Sequence, residues 1–111
     1  AGTSWRVQAI GKVGLPAGVE ASLEFAQEGG RVGGSTGCNR LVGTYEQDGT
    51  GLTFGPAGTT MMACPDAQMR TQQDYIDAIE RTRGFRAEDV RLILLDGNGD
   101  PLMTLARDRD G

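Results

Sequence analysis

Apolar and polar residues alternate along most of this chain, which is the period of half-buried β-strands. In the first such stretch, Trp5, Val7 and Ala9 are separated by polar residues, and the pattern predicts a strand with Trp5 in the core. The cleanest alternation covers residues 19–25, where four apolar residues are separated by glutamate and serine. Similar stretches follow at residues 31–35, 41–47, 52–54, 85–87, 90–95 and 102–105. The pattern therefore predicts a mostly β protein.

Turn residues stand between these stretches. Gly29-Gly30, Asp48-Gly49 and the Asp96–Asp100 loop are hairpin signals. Gly55-Pro56 is expected to end the strand that starts at Leu52, and Pro101 is expected to open an edge strand. Because strands follow one another every roughly 8 to 12 residues with hairpin signals between them, we predict an antiparallel meander. Its strand at residues 90–95 is apolar on both faces and should be central.

One stretch has a helical period. Pro65 occupies a natural first position of a helix, and Gly84 is a typical stop signal. Met69, Ile76 and Ile79 fall on one face between these two residues. The predicted fold is therefore of the α+β class, a curled antiparallel β-meander, open and barrel-like, packed around one α-helix.

Glycine-rich residues 33–37 interrupt the predicted sheet. Gly33, Gly34 and Gly37 indicate a bulge or a close approach of two backbones, and Asn39 tolerates the conformation of a chain that turns a corner. Within this segment no Gly-Lys-Ser/Thr sequence follows the glycines, so a phosphate-binding loop is not expected.

Length and charge limit the functions to be considered. A chain of 111 residues fits one domain over residues 1–111, with an ordered core from about residue 5 to residue 105 and a frayed end from Arg107 to Gly111. The net charge of −4 and an aromatic content of 5% do not suit a nucleic-acid binder. The aliphatic run Leu92-Ile93-Leu94-Leu95 is far too short to span a bilayer, so no transmembrane segment is expected. We expect a monomer whose export signal or lipid anchor has been left out before Ala1.

The chain contains two cysteines, Cys38 and Cys64. A disulfide between them would close a loop of roughly 25 residues and place the protein in an oxidising compartment. Two separate buried thiols are the alternative. Redox catalysis is not expected because the spacing is not Cys-x-x-Cys, and two cysteines without histidine make a poor zinc site.

Other catalytic and metal-binding groups are missing. Without histidine the chain lacks the usual general base of a serine or cysteine nucleophile, so we expect no enzyme, no catalytic residue and no cofactor. The segment Asp96-x-Asn98-x-Asp100 mimics the start of a calcium loop, but Pro101 and Arg107 stand where glycine and glutamate are required. No metal site is expected.

Several ordered motifs resemble the META domain family, which includes a bacterial heat-shock protein. The likeness runs from Trp5 to about Leu105, and its motifs are Gly37-Cys38-Asn39-Arg40, Gly43-x-Tyr45, Leu52-Thr53-Phe54-Gly55-Pro56, Thr60-x-Met62-Ala63-Cys64-Pro65 and Leu92-x-Leu94-x-Asp96-x-x-Gly99. Two positions depart from the family pattern: Met61 replaces a usual arginine, and Leu41 replaces an aromatic residue. The first departure argues against a cationic site there.

The resemblance implies a curled sheet with one helix, a stress-related role and a location in the bacterial envelope, exported or lipid-anchored. The family is similar in architecture to pilot proteins of secretion systems, which implies binding of a lipid or an apolar peptide. We expect the apolar pocket at Phe54, Met62, Met69 and Ile76. The alternative is a structural or protein-interaction module of a lipoprotein that has no ligand and presents the motif residues Gly37, Asn39, Arg40, Tyr45, Thr60 and Met62 to a partner.

Overall fold

The computed structural model describes residues 2–107. The prediction of a frayed end is wrong at Arg107, because this residue pairs with Trp5 as the last residue of a strand, and residues 108–111 lie outside the described residues. Within residues 2–107 the chain forms nine strands and one helix, in the order β1 Thr3–Ile10, β2 Val13–Gly14, β3 Ser22–Phe25, β4 Arg31–Ser35, β5 Arg40–Asp48, β6 Gly51–Thr59, α1 Asp66–Arg81, β7 Gly84–Glu88, β8 Arg91–Leu95 and β9 Pro101–Arg107. The alternating stretches of the sequence therefore form strands as predicted, except that the stretch at residues 19–25 is a strand only from Ser22 onward.

The strands form one curled antiparallel sheet. From β3 to β9 each strand pairs with the next one in the chain, β1 pairs with β3, and β9 returns to pair with β1. The sheet thus closes into a ring-like meander, with the short β2 attached to the end of β1. The closure is uneven, because β6 and β7 are joined by the single residue pair Gly51↔Gly84.

Two predictions at proline residues are wrong. The strand β6 continues through Gly55-Pro56 to Thr59, because β5 and β6 shift register between Gly43 and Tyr45 and the ladder resumes beyond the irregularity. The proline is tolerated because β6 pairs with β7 only at Gly51. Near Pro56, the side of β6 that faces away from β5 therefore forms no strand hydrogen bonds that the proline would break. Pro101 does not open an edge strand, since β9 lies between β8 and β1.

The helix α1 supplies one wall of the core. Its buried residues are Thr71, Tyr75, Ala78 and Ile79, and they pack with the inward-facing residues of the ring. Pro65 is the residue before the first helical one, and the helix ends at Arg81, with Thr82 as its extended cap. The predicted stop at Gly84 is therefore wrong, because the chain leaves the helix at Thr82 and Gly84 already begins β7.

Tyr75 fixes the helix to the sheet. Its side chain is fully buried, and its hydroxyl donates a hydrogen bond of 2.7 Å to the carbonyl oxygen of Ser22. Burial raises the pKa of Tyr75 well above its ordinary value, so the hydroxyl stays protonated as a donor. Gly34 lies against the same atoms, and a Cβ there would overlap the Ser22 carbonyl. The close approach predicted for the glycine-rich segment is confirmed at Gly34.

Candidate functional site

A partly open cavity of about 190 Å³ lies inside one end of the ring. Its lining residues are Thr3, Trp5, Phe25, Tyr45, Gln47, Leu52, Phe85, Ala87 and Leu92. They come from β1, β3, β5, β6, β7 and β8, so the cavity belongs to the interior of the sheet and not to a groove on its surface.

The cavity lies at the end of the ring that the helix leaves uncovered. Thr3 at the start of β1 pairs with Phe25 at the end of β3, and Leu92 lies near the start of β8. The helix instead contacts the segment between β4 and β5, where Thr71 lies beside Gly37. We call the end with the cavity the open end and the other the helix end.

The cavity wall is aromatic and neutral. Trp5, Phe25, Tyr45 and Phe85 contribute rings, and the Phe25 and Tyr45 rings meet edge to face at 4.9 Å. The polar tips of two of these rings have internal partners. The indole N–H of Trp5 donates to Thr3 Oγ1 at 2.9 Å, and the Tyr45 hydroxyl donates to the Ala26 carbonyl at 3.4 Å. No charged residue is among the described lining residues, so the wall suits an apolar ligand.

The predicted pocket residues are not gathered around this cavity. Phe54 stacks on Phe25 with 6.2 Å between the ring centroids, and Ile76 packs against the core from the helix. Met62 is 60% exposed, and the Met69 sulfur contacts Cys38 Sγ at 3.7 Å. The lining residues Trp5, Leu52, Phe85 and Leu92 were not among the predicted pocket residues. Of these four, the alternation had placed Trp5 in the core.

Cys38 and Cys64 form a disulfide, which confirms that prediction over the alternative of two separate buried thiols. The bond ties the segment between β4 and β5 to the residue before Pro65, at the start of the helix. Met69 Sδ, one turn into the helix, packs against it. The described residues contain no free cysteine. The disulfide therefore fixes the helix end of the ring.

Asn39 joins the same three segments by hydrogen bonds. Its Oδ1 accepts from the backbone N–H of Met62 at 2.7 Å and from the hydroxyl of Thr60 at 2.9 Å. Its Nδ2 donates to Gln72 Oε1 on the helix at 3.0 Å and to the Met62 carbonyl at 3.2 Å. Both the carbonyl oxygen and the NH₂ group of this amide therefore have hydrogen-bond partners, and the side chain holds the three segments together.

The motif residues consequently do not form one exposed contact surface. Asn39 is 3% exposed, which leaves it no surface to present to a partner, contrary to the interaction hypothesis. Gly37 has a φ of 99°, and a Cβ there would press on Thr71 at 3.0 Å. Arg40 is exposed but forms an ion pair with Glu24, and Tyr45 lines the cavity at the open end.

The Asp96–Asp100 loop is a hairpin tip held by its own backbone. Asp96 Oδ1 accepts the N–H groups of Asn98 at 2.9 Å and Asp100 at 3.0 Å. These hydrogen bonds, with a smaller contribution from Arg81, hold the pKa of Asp96 below its ordinary value. Among the described residues no group of three or more His, Cys, Asp or Glu is placed to hold a metal ion.

Asp96→Asn is expected to lower stability at pH 7, because the carboxylate accepts those N–H groups better than a neutral amide does. A folded pKa below the unfolded value gives stability that is present above about pH 4 and is lost as the pH falls through the folded pKa. The difference in the free energy of unfolding between variant and parent should therefore shrink below about pH 4. Urea titrations across this range check it, with Asp74→Asn on the exposed helix face as control. A difference that does not change with pH would contradict it.

Comparisons with known proteins agree with this description. A model of the META domain family matches residues 1–109. The fold is similar to that of a protein from Burkholderia xenovorans solved by NMR, with a TM-score of 0.76 and 28% identity over 96% of this chain and 82% of that one. It is also similar to a DUF4847 family protein from Bacteroides vulgatus in a crystal structure, with a TM-score of 0.72 and 14% identity over 98% and 94% of the two chains.

No curated protein matched the sequence. The part of the chain that the structure describes contains no helix long and apolar enough to cross a membrane.

Proposed function

The chain belongs to the META domain family, and we propose that it is a non-enzymatic module of the bacterial envelope that holds an alkyl chain, such as a lipid acyl chain, in the cavity at the open end. The observation that carries the proposal is the neutral, aromatic wall formed by Trp5, Phe25, Tyr45 and Phe85. Burying alkyl groups against such a wall is favourable by about 0.8 kcal/mol per methylene.

The size of the cavity suits one end of an alkyl chain better than a complete drug-sized ligand. About 190 Å³ lies below the roughly 300 to 1,000 Å³ of pockets that enclose drug-sized molecules. A chain end can enter such a space while the remainder of the molecule leaves through the open mouth. A linear alkyl chain has the narrow cross-section that this entry requires.

The envelope location rests on the disulfide, because such bonds persist mainly in oxidising compartments. A role in envelope stress is part of the same proposal and is supported by the likeness of the chain to its family. Alkylation of protein taken from its native compartment tests the location. Thiol labelling that occurs on unfolding without prior reduction would overturn it.

Trp5 provides a direct test of the ligand. It is the single tryptophan of the chain and lines the cavity, so its fluorescence should change saturably when an alkyl chain binds. Medium-chain alkyl alcohols are suitable probes because they carry no charge. We expect the affinity to rise with chain length until the cavity is filled.

Ala87→Leu should block the site, since Ala87 lies in the lining and the larger side chain enters the cavity. Ala57→Leu is the matched control, because Ala57 is exposed on β6 and does not line the cavity. We expect at least a tenfold loss of affinity in the first variant, equivalent to about 1.4 kcal/mol, and none in the second. Equal binding by both variants, or saturable binding of apolar peptides without alkyl chains, would overturn the proposal.

A further inference from the structure

Arg107 lies next to Trp5, which is part of the aromatic wall of the cavity. It ends β9 directly opposite Trp5 on β1, and directly opposed residues of an antiparallel pair project from the same face of the sheet. Its guanidinium carbon lies 6.0 Å from the centre of the Trp5 ring, close enough for a cation–π contact. Because Trp5 is part of the cavity wall, the Arg107 cation lies beside that wall, and it is exposed to solvent.

The interior of the ring is otherwise uncharged along its strands. Inward positions alternate with outward ones, and among the described strands those inward positions hold neutral residues except at Arg107. The neighbouring pair Arg86 and Glu88, for example, interacts across 2.9 Å on the outer face, since Phe85 and Ala87 take the inner one. Within residues 2–107 no carboxylate forms an ion pair with Arg107.

We infer that the ligand of this cavity is an alkyl carboxylate, with its tail inside the ring and its carboxylate on Arg107. This inference rests on the proposed function and adds the polar end of the ligand. A guanidinium presents N–H donors in a planar fork that matches a carboxylate, and contact with the Trp5 ring orients it. A neutral alcohol gains nothing from the charge, and an alkylammonium is repelled by it.

The contribution of the charged end can be measured apart from that of the tail with three compounds that share one tail and differ in charge: octanoate, octanol and octylammonium. Isothermal titration calorimetry at low salt should give octanoate about fivefold tighter binding than octanol, and octylammonium the weakest binding. The preference should decline as salt is raised, since the rim is exposed to solvent. N-acetyl-leucine carries a carboxylate on a peptide unit, and tighter binding of it than of octanoate would assign the site to a peptide C-terminus instead.

Arg107→Gln should remove the preference for octanoate while leaving octanol binding unchanged. Arg91→Gln is the matched control, because Arg91 is exposed on the adjacent strand β8 and projects outward next to the inward-facing Leu92. An octanoate preference that persists in Arg107→Gln overturns this inference and leaves the proposed function standing. Failure of all three octyl compounds to bind the parent protein overturns the proposed function itself. An unchanged melting temperature verifies that the variants are folded.

Discussion

Replacing Cys38 and Cys64 together by alanine is expected to lower the free energy of unfolding by about 3.5 kcal/mol. The two residues are 26 positions apart, and a cross-link across a loop of that length restricts the unfolded chain by about this amount. The loss is large for a domain whose whole stability is on the order of 5 to 15 kcal/mol. Urea unfolding followed by Trp5 fluorescence measures it.

A dithiol reductant supplies the control for this double substitution. It should destabilise the parent protein by a similar amount and leave the alanine variant unaffected, since that variant has no bond to reduce. A change of less than about 0.5 kcal/mol in the variant would show that the disulfide does not stabilise the domain.

Gly34→Ala is the second substitution with a large expected effect, a loss of about 3 kcal/mol. The added Cβ would overlap the carbonyl of Ser22 and lie 2.9 Å from the Tyr75 hydroxyl. To remove this overlap, either β3 must move away from β4 or the helix must move away from the sheet. Both movements disturb the buried hydrogen bond between Tyr75 and Ser22. Thermal and urea unfolding of the variant measure the loss.

Gly58→Ala is the matched control, because a Cβ at that position of β6 meets nothing within 4 Å. Its stability should lie within about 0.5 kcal/mol of the parent value. Tyr75→Phe adds a second test, since removal of the hydroxyl takes away one of the two clashing groups. Gly34→Ala should therefore lower the free energy of unfolding by less in the Tyr75→Phe variant than in the parent protein. If the effects of the two substitutions simply add in this double-mutant cycle, the proposed contact is contradicted.

Alternation was sufficient to predict the sheet, because an inward residue such as Leu23 must be apolar while its neighbours Ser22 and Glu24 remain at least partly exposed. The closure of the ring was not predictable in this way. The pairing of β1 with β9 depends on the accumulated curl of the whole sheet, which no local pattern records. The same limit explains Pro101, which stands at the start of a strand that has neighbours on both sides.

The position of the cavity was missed for a related reason. The helical period correctly placed Met69 and Ile79 toward the protein, but it does not say which end of the ring the helix covers. A pocket next to the helix was therefore expected, whereas the aromatic cavity lies at the other end and none of the predicted pocket residues lines it. The burial of Asn39 was not predictable from its turn motif, because it depends on contacts with Thr60, Met62 and Gln72, which lie far along the chain.

The pairing of β1 with β9 has a consequence for folding of the chain during translation. Trp5 pairs with Arg107, so β1 is synthesised well before β9, the strand that becomes its second neighbour. Such distant contacts make closure slow relative to local pairing. Until β9 is synthesised, the edge of β1 that it will occupy stays unpaired, and we expect a chaperone that shields this edge to raise the yield of folded protein.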